Sequence, residues 1–338
     1  MTANRRFTLA RRPIGLPCAD DFAHDVVPVR DLVEGEVLIH NRYASLDPAI
    51  RGWLDDAPSY LPPIALGAPV RATTVGEVVA SANPDFAAGD WALGLNAIED
   101  YSIASPGGFT MKIDPSAVPS ITNYLSVLGA VGLTAYFGVV DILRVRAGET
   151  VLVSGAAGAV GSLVGQIARI LGCRTVGLAG GAEKCRRLIA DYGYDAAIDY
   201  RGKSIEALAA DIAAAAPNGV DAIFENVGGT CLEAGLLSLN RAARIALCGL
   251  ISEYNASDGA VGARNLWQLI AKSATISGFL ISDFLPRFAE GGAMMAGWLA
   301  DGRLRCDEHV DRGIDNALPA FLRLFEGSNR GKMILALD

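Results

Sequence analysis

One stretch, ETVLVSGAAGAVGSLVGQIARILGCRTVGL from Glu149 to Leu178, constrains this chain more than any other. It reads as an apolar strand, a glycine turn, an amphipathic helix and a second strand. Val151, Leu152 and Val153 form a β-branched-rich run fit to be buried on both faces. Gly155, Gly158 and Gly161 follow, where the backbone must turn sharply and come close to a ligand. The helix expected from about Ala159 to Leu171 would aim its N-terminus, with its partial positive charge, at an anion. A glycine trio alone fits any strand-to-helix turn. Here it has a strand before it, a helix after it and a second strand at Arg174 to Leu178, and that context predicts a dinucleotide site.

Which dinucleotide is decided about twenty residues past the glycines, where NAD sites place a carboxylate against the ribose hydroxyls. At that place stand Leu178, Ala179, Gly180 and Gly181, followed by Lys184, Arg186 and Arg187. A missing carboxylate beside cations suits a 2'-phosphate, so the pattern favours NADP(H) over NAD(H). The same three cations also fit the solvated face of a helix, the two arginines especially.

The chain has 338 residues, 51% of them hydrophobic, enough to bury two cores. Its net charge of -8 argues against nucleic acid and anionic membranes as partners, since both call for basic stripes. No run reaches eighteen apolar residues, and the basic N-terminal residues are not followed by an apolar stretch. A soluble, cytoplasmic protein is expected. The six cysteines, at 18, 173, 185, 231, 248 and 306, show no CxxC pair and read as reduced, mostly packed thiols. His24, His40 and His309 lack neighbours at metal-ligand spacing, so no zinc site is expected.

Residues 1 to about 122 carry short alternating segments such as Glu36 to Asn41 and Thr74 to Ala80, broken by Pro and Gly clusters. That is the texture of a β-rich domain with long loops. From 123 to 300 strands alternate with helices: Val220 to Glu225, Ala243 to Leu250 and Ala274 to Ile281 are expected as strands. Helices are expected near 182–192, 203–216, 230–239, 264–273 and 284–300. This predicts an α/β fold, a doubly wound parallel Rossmann sheet at 123–300. The tail, 301–338, ends in an apolar strand at Lys332 to Leu337, too short to stand alone. It is expected to return to the first domain, making that domain discontinuous.

This order of parts, a β-rich domain, an inserted Rossmann domain opening AAGAVGS and a returning tail, resembles the medium-chain dehydrogenase/reductase superfamily, whose β-rich catalytic domain is GroES-like. NRYASLDPAIRG, PSYLPPIALG, GLTAYFG, AGGAEKCRRL, FENVGG, CGLISEYN and GSNRGKMIL narrow the resemblance. Together they are similar to the zinc-independent, NADPH-dependent alkenal and enone reductases: prostaglandin and leukotriene reductases, plant double-bond reductases and bacterial curcumin-reductase-like proteins. The likeness runs the length of the chain. It implies that Gly158, Ala159, Val160 and Gly161 hold the pyrophosphate and that Lys184 and Tyr200 bind the 2'-phosphate. It further implies that Thr134, Asn226, Cys248, Gly249, Leu250, Ile251, Ser252, Tyr254, Phe279, Leu280, Ile281 and Asn329 line the rest of the cofactor. One departure stands out. The family often has Tyr-Met before the arginine of DPAIR, where this chain has Ala49 and Ile50, so an aromatic wall over the substrate is missing.

Reduction of a conjugated carbon–carbon double bond puts negative charge on the carbonyl oxygen, which then needs a donor. Tyr254, just past the expected strand end at Leu247 to Leu250, is the candidate: a phenol with a pKa near ~10 stays protonated at neutral pH. As position alone reads it, Tyr254 could equally be a half-buried loop aromatic, and the resemblance tips the balance. Tyr60, among Pro58, Pro62 and Pro63, is the second candidate to line the substrate, or else packs its loop. Asp47 and Arg51 read as a structural ion pair. The expected function is NADPH-dependent reduction of α,β-unsaturated aldehydes or ketones, held in an apolar cleft, by a homodimer. A zinc-free NADPH:quinone reductase and a non-catalytic NADPH-binding protein are the alternatives.

Overall fold

Apolar runs without polar alternation can only be buried on both faces, and in this chain they form one parallel sheet. The structure is a computed structural model that describes residues 2–257 and 262–338. It divides into two compact units, one of Met1–Leu125, Glu308–Asn329 and Met333–Asp338, the other of Ser126–Asp307 and Arg330–Lys332.

In the second unit the strands are β1 (Thr150–Val153), β2 (Arg174–Ala179), β3 (Ala196–Asp199), β4 (Val220–Glu225), β5 (Leu239–Leu247) and β6 (Thr275–Gly278). They lie side by side as β3-β2-β1-β4-β5-β6, every neighbouring pair parallel. This is the strand order of dinucleotide-binding sheets, with the order of winding reversing between β1 and β4. The helices are α1 (Ala130–Phe137), α2 (Ala159–Ile170), α3 (Ala182–Ala190), α4 (Ile205–Ala215), α5 (Gly229–Leu237), α6 (Trp267–Lys272) and α7 (Phe288–Ala300). Two apolar clusters cover the sheet. One gathers Val151, Val153, Leu163, Ile167, Phe137 and Phe224, the other Leu152, Val176, Leu208, Ile223 and Leu236. Among the described residues no helix is long and apolar enough to cross a membrane.

Three expectations from the sequence are corrected. The strand expected at Ala274 to Ile281 is only Thr275–Gly278, because the Asp283 carboxylate takes the Leu280 N–H at 3.2 Å and starts a 3-10 turn, Ile281–Arg287. Pro286 lies in that turn, so the helix expected from 284 becomes α-helical only at Phe288. The strand expected to run to Leu250 ends at Leu247. There the N–H groups of Cys248 and Gly249 both turn to the Glu225 carbonyl, at 2.9 and 3.1 Å. The short strand β3 carried too little pattern to be read at all.

The first unit is built on antiparallel pairing. Val37–Ser45 pairs with Arg71–Ser81, with Tyr101–Ala104 and with the C-terminal strand Lys332–Ala336. Trp91–Ala97 and Thr110–Ile113 extend the sheet beyond Arg71–Ser81. A helix at Ala317–Glu326 lays Ala317, Ala320 and Phe321 against Phe7, Leu46, Ile50 and Leu335 in the unit's main core.

Side-chain-free contacts set how tightly α2 sits. A Cβ placed on Gly165 would lie 2.0 Å from Tyr194 Cζ and 2.3 Å from its Oη, while that hydroxyl donates to the Gly161 carbonyl at 2.6 Å. Gly165→Ala should therefore lower stability by about 1–3 kcal/mol through overpacking. The check is the urea unfolding midpoint; an unchanged midpoint would mean that helix and tyrosine slide apart without cost.

Candidate active site

Parallel strands that end together leave backbone donors without strand partners, and the chain must cap them or present them to a ligand. After β1, Gly155 adopts φ +58° and Gly158 starts α2 as its N-cap. A Cβ on Gly161 would stand 2.4 Å from the Gly155 carbonyl oxygen and 2.7 Å from Ala156 Cα, so helix and turn meet with no room for a side chain. Gly158 also forms a bridge to Gly331 of the same unit. Ala159, Val160 and Gly161 make up the first turn of α2, whose amides have no carbonyl within the helix. This cradle fits a pyrophosphate.

Next to it, β4 ends in Glu225, which is 1% exposed. Its Oε1 accepts the Ser154 hydroxyl at 2.6 Å and the amides of Val227 and Gly228, each at 2.7 Å. Burial pushes this carboxyl above the usual carboxylate range, against the pull of those donors. Ser154 in turn binds Asn226 twice: its Oγ accepts the Asn226 backbone N–H at 2.8 Å and its carbonyl the side-chain amide at 2.7 Å. Asn226 and Val227 pack against Gly155.

Residues 248–254 are laced to this strand end. Ile251 N–H donates to the Asn226 carbonyl at 3.2 Å, and Ser252 donates its N–H and its hydroxyl to Val227, at 3.0 and 2.6 Å. Tyr254 is half-buried and its Oη accepts the Leu250 N–H at 3.1 Å, which leaves the hydroxyl proton available to donate. Burial raises its pKa, and the Leu250 amide only partly offsets this, so the phenol is protonated at neutral pH. The Cys248 thiol is pushed up to about 12 by burial, which makes it no nucleophile at that pH.

At the ends of β2 and β3 a cationic corner forms. Lys184, in the first turn of α3, is half-buried, and among the described residues its ammonium has no hydrogen bond or ion pair. Burial lowers its pKa most, followed by the charges of Arg201 and Arg187. Cβ atoms built on the neighbouring glycines locate the corner: on Gly180 one would lie 2.9 Å from Arg201 Nε and 3.5 Å from Tyr200 Oη, on Gly181 one 3.3 Å from Arg201 Nη1. Asp199 closes the corner, accepting the amides of Gly181 and Arg201 at 2.8 and 3.1 Å. Arg187 is otherwise engaged. Its guanidinium, 14% exposed, bridges Asp191 and Asp307, and Arg186 is exposed.

Of the other candidates, Phe279 sits edge-on to Phe224 with ring centroids 6.3 Å apart, and both touch the space a Cβ on Gly138 would fill. Thr134 lies half-buried one turn earlier, Leu280 is 38% exposed and Ile281 packs on the core around Phe137. Tyr60 and Asn329 belong to the first unit. Tyr60 is 52% exposed, edge-on to Trp53, and Asn329 ends that unit's stretch just before Arg330. Arg51 pairs with Asp55 at 2.7 Å.

Comparison with known proteins identifies the family. Residues 5–113 match a family described as the N-terminal domain of oxidoreductase, and residues 159–296 one described as zinc-binding dehydrogenase. The NADPH-dependent curcumin reductase of Escherichia coli (strain K12) is 40% identical over 98% of this chain and 96% of its own. The 2-alkenal reductase (NADP(+)-dependent) of Nicotiana tabacum is 36% identical over 99% and 98%. The crystal structure of CurA in complex with NADPH from Vibrio vulnificus superposes with a TM-score of 0.92 at 39% identity, over 99% of both chains. The chain belongs to the zinc-independent alkenal and enone reductase family of medium-chain dehydrogenases/reductases. It is an NADP-dependent oxidoreductase.

The description of the second matching family names zinc. Among the described residues of this reductase, no group of three or more His, Cys, Asp or Glu stands close enough to hold a metal ion. Two polar groups at the reductase's strand ends escaped the sequence reading. Arg201 looks like an ordinary loop residue unless β3 is seen to lie beside β2. Glu225 enters the sequence analysis only as the end of a strand and within FENVGG, although a carboxylate closing an apolar run is itself a signal of a buried polar node.

Proposed function

We propose that this protein reduces the carbon–carbon double bond of α,β-unsaturated aldehydes and ketones. The observation that carries the reading is Tyr254, a protonated hydroxyl with its proton free to donate, on a turn held to the end of β4. NADPH held in this cradle would supply a hydride to the β-carbon, leaving charge on the carbonyl oxygen until the α-carbon takes a proton from water. Tyr254 then donates its hydrogen bond to that oxygen, a stabilisation that grows as the charge grows. Asn226 and the 248–254 turn wall the nicotinamide side, with Thr134 and Phe279 to Ile281 completing that unit's part of the cofactor's surroundings.

Lys184, Tyr200 and Arg201 are proposed to hold the 2'-phosphate, two cations and a hydroxyl around the backbone of Gly180 and Gly181. A charge-assisted hydrogen bond of this kind contributes roughly 1.5–3 kcal/mol. Lys184→Ala should weaken NADPH binding about ten- to a hundredfold and leave NADH nearly unchanged. Arg201→Ala should act in the same direction with a smaller loss, since its side chain is more exposed. Equal losses for both cofactors would show that these residues support the fold instead.

We also propose a homodimer formed at β6. This edge strand is exposed along its whole length, and beside it α6 exposes Trp267 at 68% and Ile270 at 70%. Pairing β6 with its twin covers an open edge and an apolar face together. Light scattering at micromolar concentration should give about twice the 35.3 kDa of one chain. A single species at the mass of one chain would refute the dimer.

Tyr254→Phe keeps the ring and removes only the donor. With a small enone at saturating NADPH it should lower kcat by up to about 10²-fold, the lower end of what losing one oxyanion donor costs, with fold and NADPH affinity intact. Turnover within about twofold of the parent would assign the oxygen to another group. A panel of enones, enals and quinones followed by NADPH absorbance decides the substrate class; oxidation with quinones alone would replace this reading.

A further inference from the structure

Among the described residues Glu225 is the most deeply buried acid, and the reaction as drawn gives it no role. Its position is unusual for a carboxyl: it closes a strand whose other residues are almost wholly apolar, and its Oε2 is buried with no hydrogen-bond partner among the described residues. Among the described residues, every hydrogen bond of its side chain passes through Oε1. That single oxygen collects one hydroxyl, from Ser154, and two amides, from Val227 and Gly228, which lie ahead of α5 where no helical carbonyl can reach them.

The consequences run in two directions. Toward β1, the Ser154 hydroxyl that donates to Glu225 accepts the Asn226 N–H, and the Ser154 carbonyl holds the Asn226 side chain. Toward β5, the Glu225 carbonyl anchors Cys248 and Gly249, Asn226 anchors Ile251, and Val227 anchors Ser252. The turn so anchored ends at Tyr254, whose Oη is tied back to Leu250. One buried carboxyl thus sets both the asparagine and the tyrosine of the cofactor wall, without reaching the ligand itself.

We propose that Glu225 is a positioning residue for the reduction: through Ser154 and the Val227 and Gly228 amides it fixes Asn226 and the turn bearing Tyr254 before the cofactor binds. Because its work is done by one acceptor oxygen, the acid is needed for shape and not for charge. Gln, which keeps a carbonyl oxygen there, should replace it, and Ala should not. The proposal rests on the reading of Tyr254 and Asn226 given above, and the test separates the two.

The experiment is a double-mutant cycle on the full-length protein with NADPH and a small enone. Glu225→Ala should lower kcat about tenfold or more in the parent, and less than about twofold in a Tyr254→Phe background, because the tyrosine it positions no longer donates. Glu225→Gln should keep kcat within about threefold of the parent. The same fractional loss from Glu225→Ala in both backgrounds, or a Gln variant as impaired as the Ala one, overturns the proposal. If Tyr254→Phe alone changes nothing, the donor reading has failed, and the cycle is read with Asn226→Ala on NADPH affinity: coupling supports the positioning role and additivity overturns it. Should Glu225→Ala give no folded protein, Ser154→Ala, which removes the hydroxyl between Glu225 and Asn226, takes its place in the cycle and is read the same way.

Discussion

The close approach of α2 to the turn after β1 is the constraint on which the rest of the nucleotide-binding unit depends. With a hypothetical Cβ on Gly161 only 2.4 Å from the Gly155 carbonyl, any side chain there would force the helix off the sheet. Keeping it close does two things at once. It seals the apolar cluster of Val153, Leu163 and Ile167, and it turns the unpaired amides of the first helical turn toward the space beyond the strand ends. The contact that packs the helix also leaves those amides free to meet an anion, and a glycine serves where alanine would give a better helix.

Around that contact the strand ends are finished by a small number of buried polar groups. Glu225 and Ser154 join β4 to β1, and the segment after β5 is hung on the same node. Farther out, Asp307 accepts from Arg187, Tyr192 and Arg305 and receives the Lys332 N–H on its backbone carbonyl. Burial raises the Asp307 carboxyl, yet the hydrogen bonds and charges around it outweigh burial and hold it below the usual range. That cluster keeps residues 330–332 within this unit, where Gly331 meets Gly158 of the glycine turn.

Electrostatics distinguishes structural cations from those available to a ligand. Arg187 and Lys184 stand one turn apart on α3, yet Arg187 is neutralised by carboxylates while Lys184 is left with cations for neighbours. A half-buried ammonium without an acid beside it is costly, and a phosphate offers the missing charge. Burial likewise keeps the proton of Tyr254 in place.

What the sequence by itself determined was local. The strand, glycine turn and helix from 150 to 170, the alternation of strands and helices behind the α/β reading, and the missing carboxylate after β2 all depend on residues near one another in the chain. Only the tertiary structure decided the rest. Arg187 reads in the sequence as one of three cations past the glycines, and only the fold shows that a carboxylate 120 residues away engages it. Arg201 joins Lys184 only because β3 lies beside β2, and four residues of weak pattern could not announce that strand. Asp283 cuts short the last strand by capping a 3-10 turn, and the ring of Pro286 delays the helix after it, against a run of apolar residues that favoured a longer strand. Glu225 acquires its meaning from Ser154, 71 residues earlier, because a buried acid is defined by the donors that surround it and those arrive from other strands.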